Sequence, residues 1–347
     1  MAEPCSRPQE SAAEPQAGRA RGMTGGEPAR GLDRPRVLLC CRLPDPVVAA
    51  LAEGLDLTAK PLSEVTAKDA ADGLVLSVET PLDSAAIARL PAGLAAVGTY
   101  SVGTDHIDRA ALAERGIALL STPDVLSASV AEIAVFLTLG AMRRATESIS
   151  LVRSGAWTGW TPGQLLGHEL ASRTAGIFGM GRIGREIAAR LSGMGMTIAY
   201  HNRSRLKPKD ERGAVYHPTL QGLAKTCDVL VIACPANAAT GGAVNARILA
   251  AMRPGSYIVN VARGTVVDDE ALIAALSSGQ IAGAGLDVMA GEPTFDARYL
   301  DLPNAFLLPH IGSSTVETRV RMGAILRDGF IALARGETPP NLVPEPA

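Results

Sequence analysis

Aromatic residues are scarce in this chain: they make up 3% of its 347 residues, against 47% hydrophobic residues in all. Its cores must therefore be built from Ala, Val, Leu and Ile, the usual material of parallel sheets covered by helices. Charge of one sign is lacking too. With 33 basic and 35 acidic residues the formal net charge is −2, and the two signs are mixed along the chain. A nucleic-acid binder carries a one-sided basic field, so no nucleic-acid partner is expected. No apolar run reaches the length of a membrane span, and the N-terminus lacks the uninterrupted apolar segment of a signal peptide. No membrane partner is expected, and the expected location is cytoplasmic. The five cysteines (Cys5, Cys40, Cys41, Cys227 and Cys234) form no CxxC pair, and no Cys/His cluster has metal-ligand spacing. They read as reduced thiols serving as small core residues, with no metal site.

The length suits about two domains of ordinary size. Residues 1–33 are rich in Ala, Gly, Pro, Arg and Glu and hold almost no large apolar side chains, so a disordered tail is expected there, with Met23 as a candidate later start. From Arg36 onward strands and helices alternate. Runs at Arg36–Cys41, Gly73–Ser77, Ala95–Tyr100 and Gly116–Leu120 read as a first set of parallel strands. An Ala-rich apolar helix is expected from Ser127 to about Arg153, with serines as caps at its start. A second series follows at Thr174–Phe178, Thr197–His201, Asp228–Ala233, Ser256–Asn260, Gly283–Asp287 and Ala305–Leu308, and a helix from about Ser314 to Arg335 closes the chain. The fold class is α/β, two doubly wound parallel-sheet domains, the second inserted in the first. Residues 34–125 and 309–340 form one domain and 126–308 the other.

Gly179-Met-Gly181-Arg182-Ile183-Gly184 follows a strand and opens a helix. Alone such a string is weak, because glycine is abundant. In this context each glycine has a physical reason. Gly179 permits the tight turn, Gly181 lets backbone approach a pyrophosphate, and Gly184 lets helix and strand pack closely. Where an NAD site places an acid for the ribose 2′-hydroxyl, this chain has Asn202, followed by Arg203 and Ser204. A missing carboxylate removes repulsion of a 2′-phosphate, and Arg203 and Ser204 can bind one by charge-assisted hydrogen bonds. NADP(H) is the expected cofactor, with NAD the weaker alternative.

Three residues further on combine into a chemistry. Arg263 stands at the C-terminal end of a buried-looking strand in Asn260-Val-Ala262-Arg263-Gly264, where α/β folds place ligands. Its planar fork matches a carboxylate; the alternative is a surface ion pair, but the small neighbours Ala262 and Gly264 leave open space around it. Of five histidines only His310 has a distinctive setting, after Pro309 at the end of the last strand; imidazole as a class titrates near neutral pH. Glu292, in a Gly-Glu-Pro sequence common in turns, gains meaning as the acid that would favour the charged imidazole. A cation for a carboxylate, a proton donor and its acid are what reduction of a 2-keto acid needs.

The motifs Ser101-Val-Gly-Thr-Asp-His-Ile-Asp108, Ser121-Thr-Pro-Asp-Val-Leu126, Gly179 to Gly184, Asn260 to Gly264, Gly285 to Pro293 and Pro309 to Ser313 occur in this order. On them the chain resembles the D-isomer-specific 2-hydroxyacid dehydrogenase family, over about residues 36 to 335, and is most similar to its glyoxylate/hydroxypyruvate reductase branch. The resemblance implies a Rossmann cofactor domain inserted in a flavodoxin-like substrate domain. It implies that Arg263 binds the substrate carboxylate, His310 is the acid/base and Glu292 pairs with it. Amides of Val102 and Gly103 would hold the other side of the carboxylate, and Ser313 could reach the substrate. Asp287 would contact the nicotinamide carboxamide, and Cys234, Pro235, Ala262 and Gly312 would also border the cofactor. Trp160 would reach towards the partner's active site in a homodimer.

The expected function is NADPH-dependent reduction of a small 2-keto acid such as glyoxylate or hydroxypyruvate. Two alternatives share the motifs: a reductase for a larger acid such as 2-ketogluconate or hydroxyphenylpyruvate, and a nicotinamide-sensing module of the co-repressor kind.

Overall fold

The computed structural model describes residues 34–346. The tail expected over residues 1–33, with Cys5 and Met23, lies outside the described residues. Two sheets, each parallel throughout, organise the rest. The first holds β1 (Arg36–Leu39), β2 (Asp56–Ala59), β3 (Gly73–Leu76), β4 (Ala96–Thr99) and β5 (Ala118–Leu120) in the order β2-β1-β3-β4-β5. The second holds β6 (Thr174–Phe178), β7 (Thr197–His201), β8 (Val215–Tyr216), β9 (Val229–Ile232), β10 (Ser256–Asn260), β11 (Ile281–Leu286) and β12 (Ala305–Leu307). Its order is β12-β11-β10-β9-β6-β7-β8, so the direction of winding reverses between β6 and β9. A reversal of this kind opens a crevice at the strands' C-terminal ends, the usual ligand position in such sheets.

Central strands are apolar throughout because helices cover both faces. Side chains of β9 alternate: Leu230 and Ile232 enter a core with Ile258 and Leu272, while Val229 and Val231 enter another with Leu137, Ile187 and Leu191. In the first sheet Leu74 and Leu76 pack with Ile87 and Leu112, whereas Val75 and Ala96 face Leu326 and Phe330 of the C-terminal helix Val316–Ala334. That helix thus returns across the molecule to the first sheet. Almost all these side chains are aliphatic, as the shortage of aromatics requires.

The sequence expectation differs from the fold in three places. The helix expected over 127–153 is two helices, Ser127–Met142 and Ala145–Arg153, because Arg144 adopts a left-handed backbone with φ 56°. Its guanidinium then bonds Glu147 in the next turn, at 2.8 and 2.6 Å. The serines at the start of the first helix do not cap it: Leu126 occupies the cap position, and Ser129 Oγ donates to the Leu126 carbonyl at 3.0 Å. Strands β2 and β8 give no clear signal in the sequence because edge strands lack a fully apolar pattern; every residue of each is at least partly exposed.

Candidate active site

β6 runs into Gly179, whose φ of 102° suits glycine and whose missing side chain leaves room for the chain after β9. A Cβ there would lie 2.5 Å from the Cα of Cys234. At Gly184 a Cβ would overlap the Gly179 carbonyl oxygen, so the helix Arg182–Gly193 sits directly on the turn. At Gly181 a Cβ would meet nothing within 4 Å, and no side chain caps this helix start. Uncapped amides at the N-terminus of a twelve-residue helix, facing open space at the sheet's switch point, fit a pyrophosphate. The first side chain of the helix, Arg182, pairs with Asp124 at 2.6 Å, and Asp124 belongs to the segment after β5 of the other sheet.

β7 delivers Asn202 to the same turn. Its Oδ1 accepts the Met180 amide at 2.6 Å, so Asn202 braces the glycine-rich loop from behind. Arg205 is committed elsewhere, bonding Glu211 at 2.8 and 3.1 Å. The Arg205 guanidinium and the Tyr200 hydroxyl hold the Glu211 carboxyl below the usual range. Arg203 and Ser204 are exposed, and among the described residues Arg203 forms no ion pair. Pro235 is exposed beside the buried Cys234, whose thiol burial pushes up to about 12.

Asn260, buried at the end of β10, shapes the next loop. Its Oδ1 accepts the Ala262 amide at 3.0 Å and its Nδ2 donates to the Arg263 carbonyl at 3.0 Å. Arg263 is thereby aimed across the gap to the other sheet. Its Nη1 donates to the Ala262 carbonyl at 2.8 Å and its Nε to Asp105 Oδ2 at 3.2 Å. The guanidinium also lies so close to Gly103 that any Cβ there would overlap Nη2. Gly103 and Asp105 sit on the loop after β4, which its own hydroxyls hold: Ser101 Oγ donates to the Gly103 carbonyl at 2.6 Å, and Thr99 Oγ1 lies 3.0 Å from His106 Nε2. Burial pushes His106 below its ordinary value, opposed by the negative charge of Asp105 and aided by the positive charge of Arg263. Val102 on this loop is exposed.

Asp287 follows β11 and is buried. Its Oδ1 and Oδ2 accept the amides of Ile311 and Gly312, each at 2.8 Å, and its carbonyl accepts the His310 amide at 2.9 Å. Burial outweighs these two amides and holds the Asp287 carboxyl above the usual range. The segment so held contains His310 in a left-handed conformation, φ 54°, and the half-buried Ser313. His310 Nδ1 lies 2.8 Å from Glu292 Oε1. A carboxylate only accepts, so Nδ1 carries a proton in this pair, and Nε2 has no hydrogen-bond partner among the described residues. The trio stands out in the sequence; Asp105, Asp124 and the bracing role of Asn260 carry no signal there beyond their membership of longer motifs.

Trp157 and Trp160 are 54% and 78% exposed, on the segment between the helix Ala145–Arg153 and β6. Ile149, Val152 and Leu166 nearby in sequence are exposed as well. Among the described residues no helix is long and apolar enough to cross a membrane, and no group of three His, Cys, Asp or Glu residues could hold a metal ion.

Residues 135–312 match the profile of the D-isomer specific 2-hydroxyacid dehydrogenase, NAD binding domain. The chain is 41% identical over 277 residues to a glyoxylate reductase of Pyrococcus furiosus, covering 78% of this chain and 82% of that protein. It is 35% identical over 315 residues to the glycerate dehydrogenase of Hyphomicrobium methylovorum, covering 88% of this chain and 98% of that one. Among solved structures it is similar to an NADPH-dependent glyoxylate/hydroxypyruvate reductase of Sinorhizobium meliloti in complex with NADP and malonate. That likeness has a TM-score of 0.81 and 37% identity, over 90% of this chain and 97% of the other.

Proposed function

The chain belongs to the D-isomer specific 2-hydroxyacid dehydrogenase family, and on that premise we propose that it reduces small 2-keto acids, glyoxylate and hydroxypyruvate among them, using NADPH. The observation that carries the reading is the His310–Glu292 pair at 2.8 Å, with Arg263 placed at the end of the neighbouring strand. The names of the relatives support the substrate class.

Arg263 binds the substrate carboxylate with the nitrogens left over from Asp105 and Ala262, and the amides of Val102 and Gly103 hold its other side. Ser313 borders the same space. NADPH, when bound, supplies the hydride that reduces the keto carbon. His310 donates the Nε2 proton to the oxygen of that carbon as charge develops there, while Glu292, bonded to Nδ1, stabilises the imidazolium and orients the ring. Asp287 keeps His310 in place through Ile311 and Gly312 and borders the nicotinamide.

The open space at Gly181 and the free amides of Arg182 and Ile183 take the pyrophosphate. Arg203 and Ser204 take a 2′-phosphate, and Asn202 in place of an acid leaves it unopposed. Cys234, Pro235, Ala262 and Gly312 line the remaining cofactor channel. Residues 34–125 with 309–340 serve as the substrate domain and 126–308 as the cofactor domain. The exposed apolar side chains around Trp160 form the contact of a homodimer in which Trp160 reaches the partner's site.

The test is steady-state turnover of a panel of 2-keto acids with NADPH and with NADH. The proposal predicts highest kcat/KM for glyoxylate or hydroxypyruvate with NADPH. Preference for 2-ketogluconate or hydroxyphenylpyruvate, or for NADH, contradicts it, and no turnover at all points to a sensing module.

A further inference from the structure

The loop that carries the amides of Val102 and Gly103 rests on a chain of hydrogen bonds. Ser101 Oγ lies 2.6 Å from the Gly103 carbonyl oxygen and 2.7 Å from Thr99 Oγ1, which lies 3.0 Å from His106 Nε2. The carbonyl end sets the direction of every bond in the chain. A carbonyl only accepts, so the single hydroxyl proton of Ser101 goes to Gly103. The Thr99 proton must then go to Ser101, which leaves the Thr99 oxygen to accept from His106. Nε2 of His106 therefore carries a proton, in the neutral ring and in the charged ring alike.

The chain is anchored in the backbone on both sides. The His106 carbonyl accepts the Leu82 amide at 2.8 Å, and the Ser101 carbonyl accepts the Thr122 amide at 2.9 Å. Thr99 and Ser101 are buried, so water has little access to replace their bonds. Gly103, at the far end, lies against Arg263 with no room for a Cβ beside Nη2. From this arrangement we propose that His106 is a positioning residue for the substrate carboxylate. Its Nε2–H, acting through the hydroxyls of Thr99 and Ser101, holds Gly103 against the guanidinium of Arg263. The role rests on the proposed binding of 2-keto acids between this loop and Arg263. A carboxylate gripped from two sides is bound well only while the two grips keep their spacing. Without the donor at Nε2 the Thr99 hydroxyl is free to turn, and the order of the whole chain goes with it. The effect falls on substrate binding, because His310 and the glycine-rich turn follow strands of the other sheet.

Steady-state kinetics with hydroxypyruvate and NADPH test this on two variants. His106→Leu lacks a donor, whereas His106→Gln places an amide nitrogen near the position of Nε2. For His106→Leu the expected result is a KM raised about fivefold or more, with kcat within about twofold of wild type. His106→Gln should bring KM back to within about twofold. Thr99→Val should reproduce the loss, and the double variant should be no worse than either single one, since one break already severs the chain. Calorimetric titration of the NADPH complex with oxamate, a 2-keto carboxylate that is not reduced, should give the same order of affinities. Melting temperatures separate a local effect from poor folding, and if His106→Leu does not fold, Thr99→Val against His106→Gln makes the comparison. An unchanged KM in His106→Leu and Thr99→Val overturns the role of His106. So does a His106→Gln protein as impaired as His106→Leu when both melt like wild type. A wild-type protein that binds oxamate but reduces no 2-keto acid contradicts the proposed function instead, and the oxamate affinities still decide the inference. One that does neither overturns both.

Discussion

The carboxylate of Asp287 accepts the amide of Gly312 at 2.8 Å, joining the end of β11 to the segment that presents His310. A second bond of the same length to Ile311 makes the grip two-pronged. Truncation to Asp287→Ala strands two amides in a protected place, at about 1–3 kcal/mol for each buried donor left unsatisfied. The expected outcome is a lower urea midpoint together with a lower kcat. An unaltered kcat would show that His310 holds its position without this clamp.

The same carboxyl gives a pH signature. Burial holds it above the usual carboxylate range in the folded protein, so folding favours its protonated form. The stability it contributes is therefore full below the unfolded value and declines as pH rises through the raised folded value. Urea unfolding at about pH 4 and pH 7 checks this: the advantage of wild type over Asp287→Asn should shrink at the higher pH. A gap that widens with pH contradicts the assignment.

Cofactor choice is open to a single exchange. Asn202→Asp keeps an oxygen for the Met180 amide, so the turn survives, while a negative charge appears beside Arg203 and Ser204. The kcat/KM ratio of NADPH to NADH should fall by about tenfold or more, each factor of ten being about 1.4 kcal/mol. An unchanged ratio removes the 2′-phosphate from this loop.

Much of this is legible in the sequence. The glycine-rich turn sits where β6 meets its helix, and Arg263, Glu292 and His310 lie at the ends of strands or in the loops after them, because local apolar runs and turn residues fix those positions. What is not legible depends on pairs distant in sequence. Asp105 meets Arg263, and Asp124 meets Arg182, only when two sheets face each other. Asn202 reads from sequence as a missing acid, yet its oxygen serves the turn itself. The break at Arg144 leaves no mark in the sequence, because Ala145-Thr-Glu-Ser-Ile-Ser-Leu-Val-Arg153 continues with no glycine or proline to signal it.

Glu292 is expected to act on the chemical step. Glu292→Gln leaves a side chain able to accept from His310 Nδ1 but removes the charge that stabilises an imidazolium. General acid catalysis supplies about 10²–10⁴-fold, so a kcat loss of about tenfold to a hundredfold is expected, with KM for glyoxylate little altered. A change in KM alone would place Glu292 in binding.

Sedimentation should report a dimer at micromolar concentration. Trp160 is 78% exposed, in a segment whose other apolar side chains also face outward. Trp160→Ala should remain dimeric and show a raised KM for hydroxypyruvate, as a residue lent to the partner's site would. A monomer at every concentration contradicts the proposed homodimer.

The central claim is that His310, oriented by Glu292, donates the proton when a 2-keto acid is reduced. Turnover of hydroxypyruvate with saturating NADPH, measured for wild type and for His310→Ala, tests it most directly. The account predicts a kcat lower by about a hundredfold or more in the variant, with NADPH affinity retained. Turnover by His310→Ala close to wild type would contradict it.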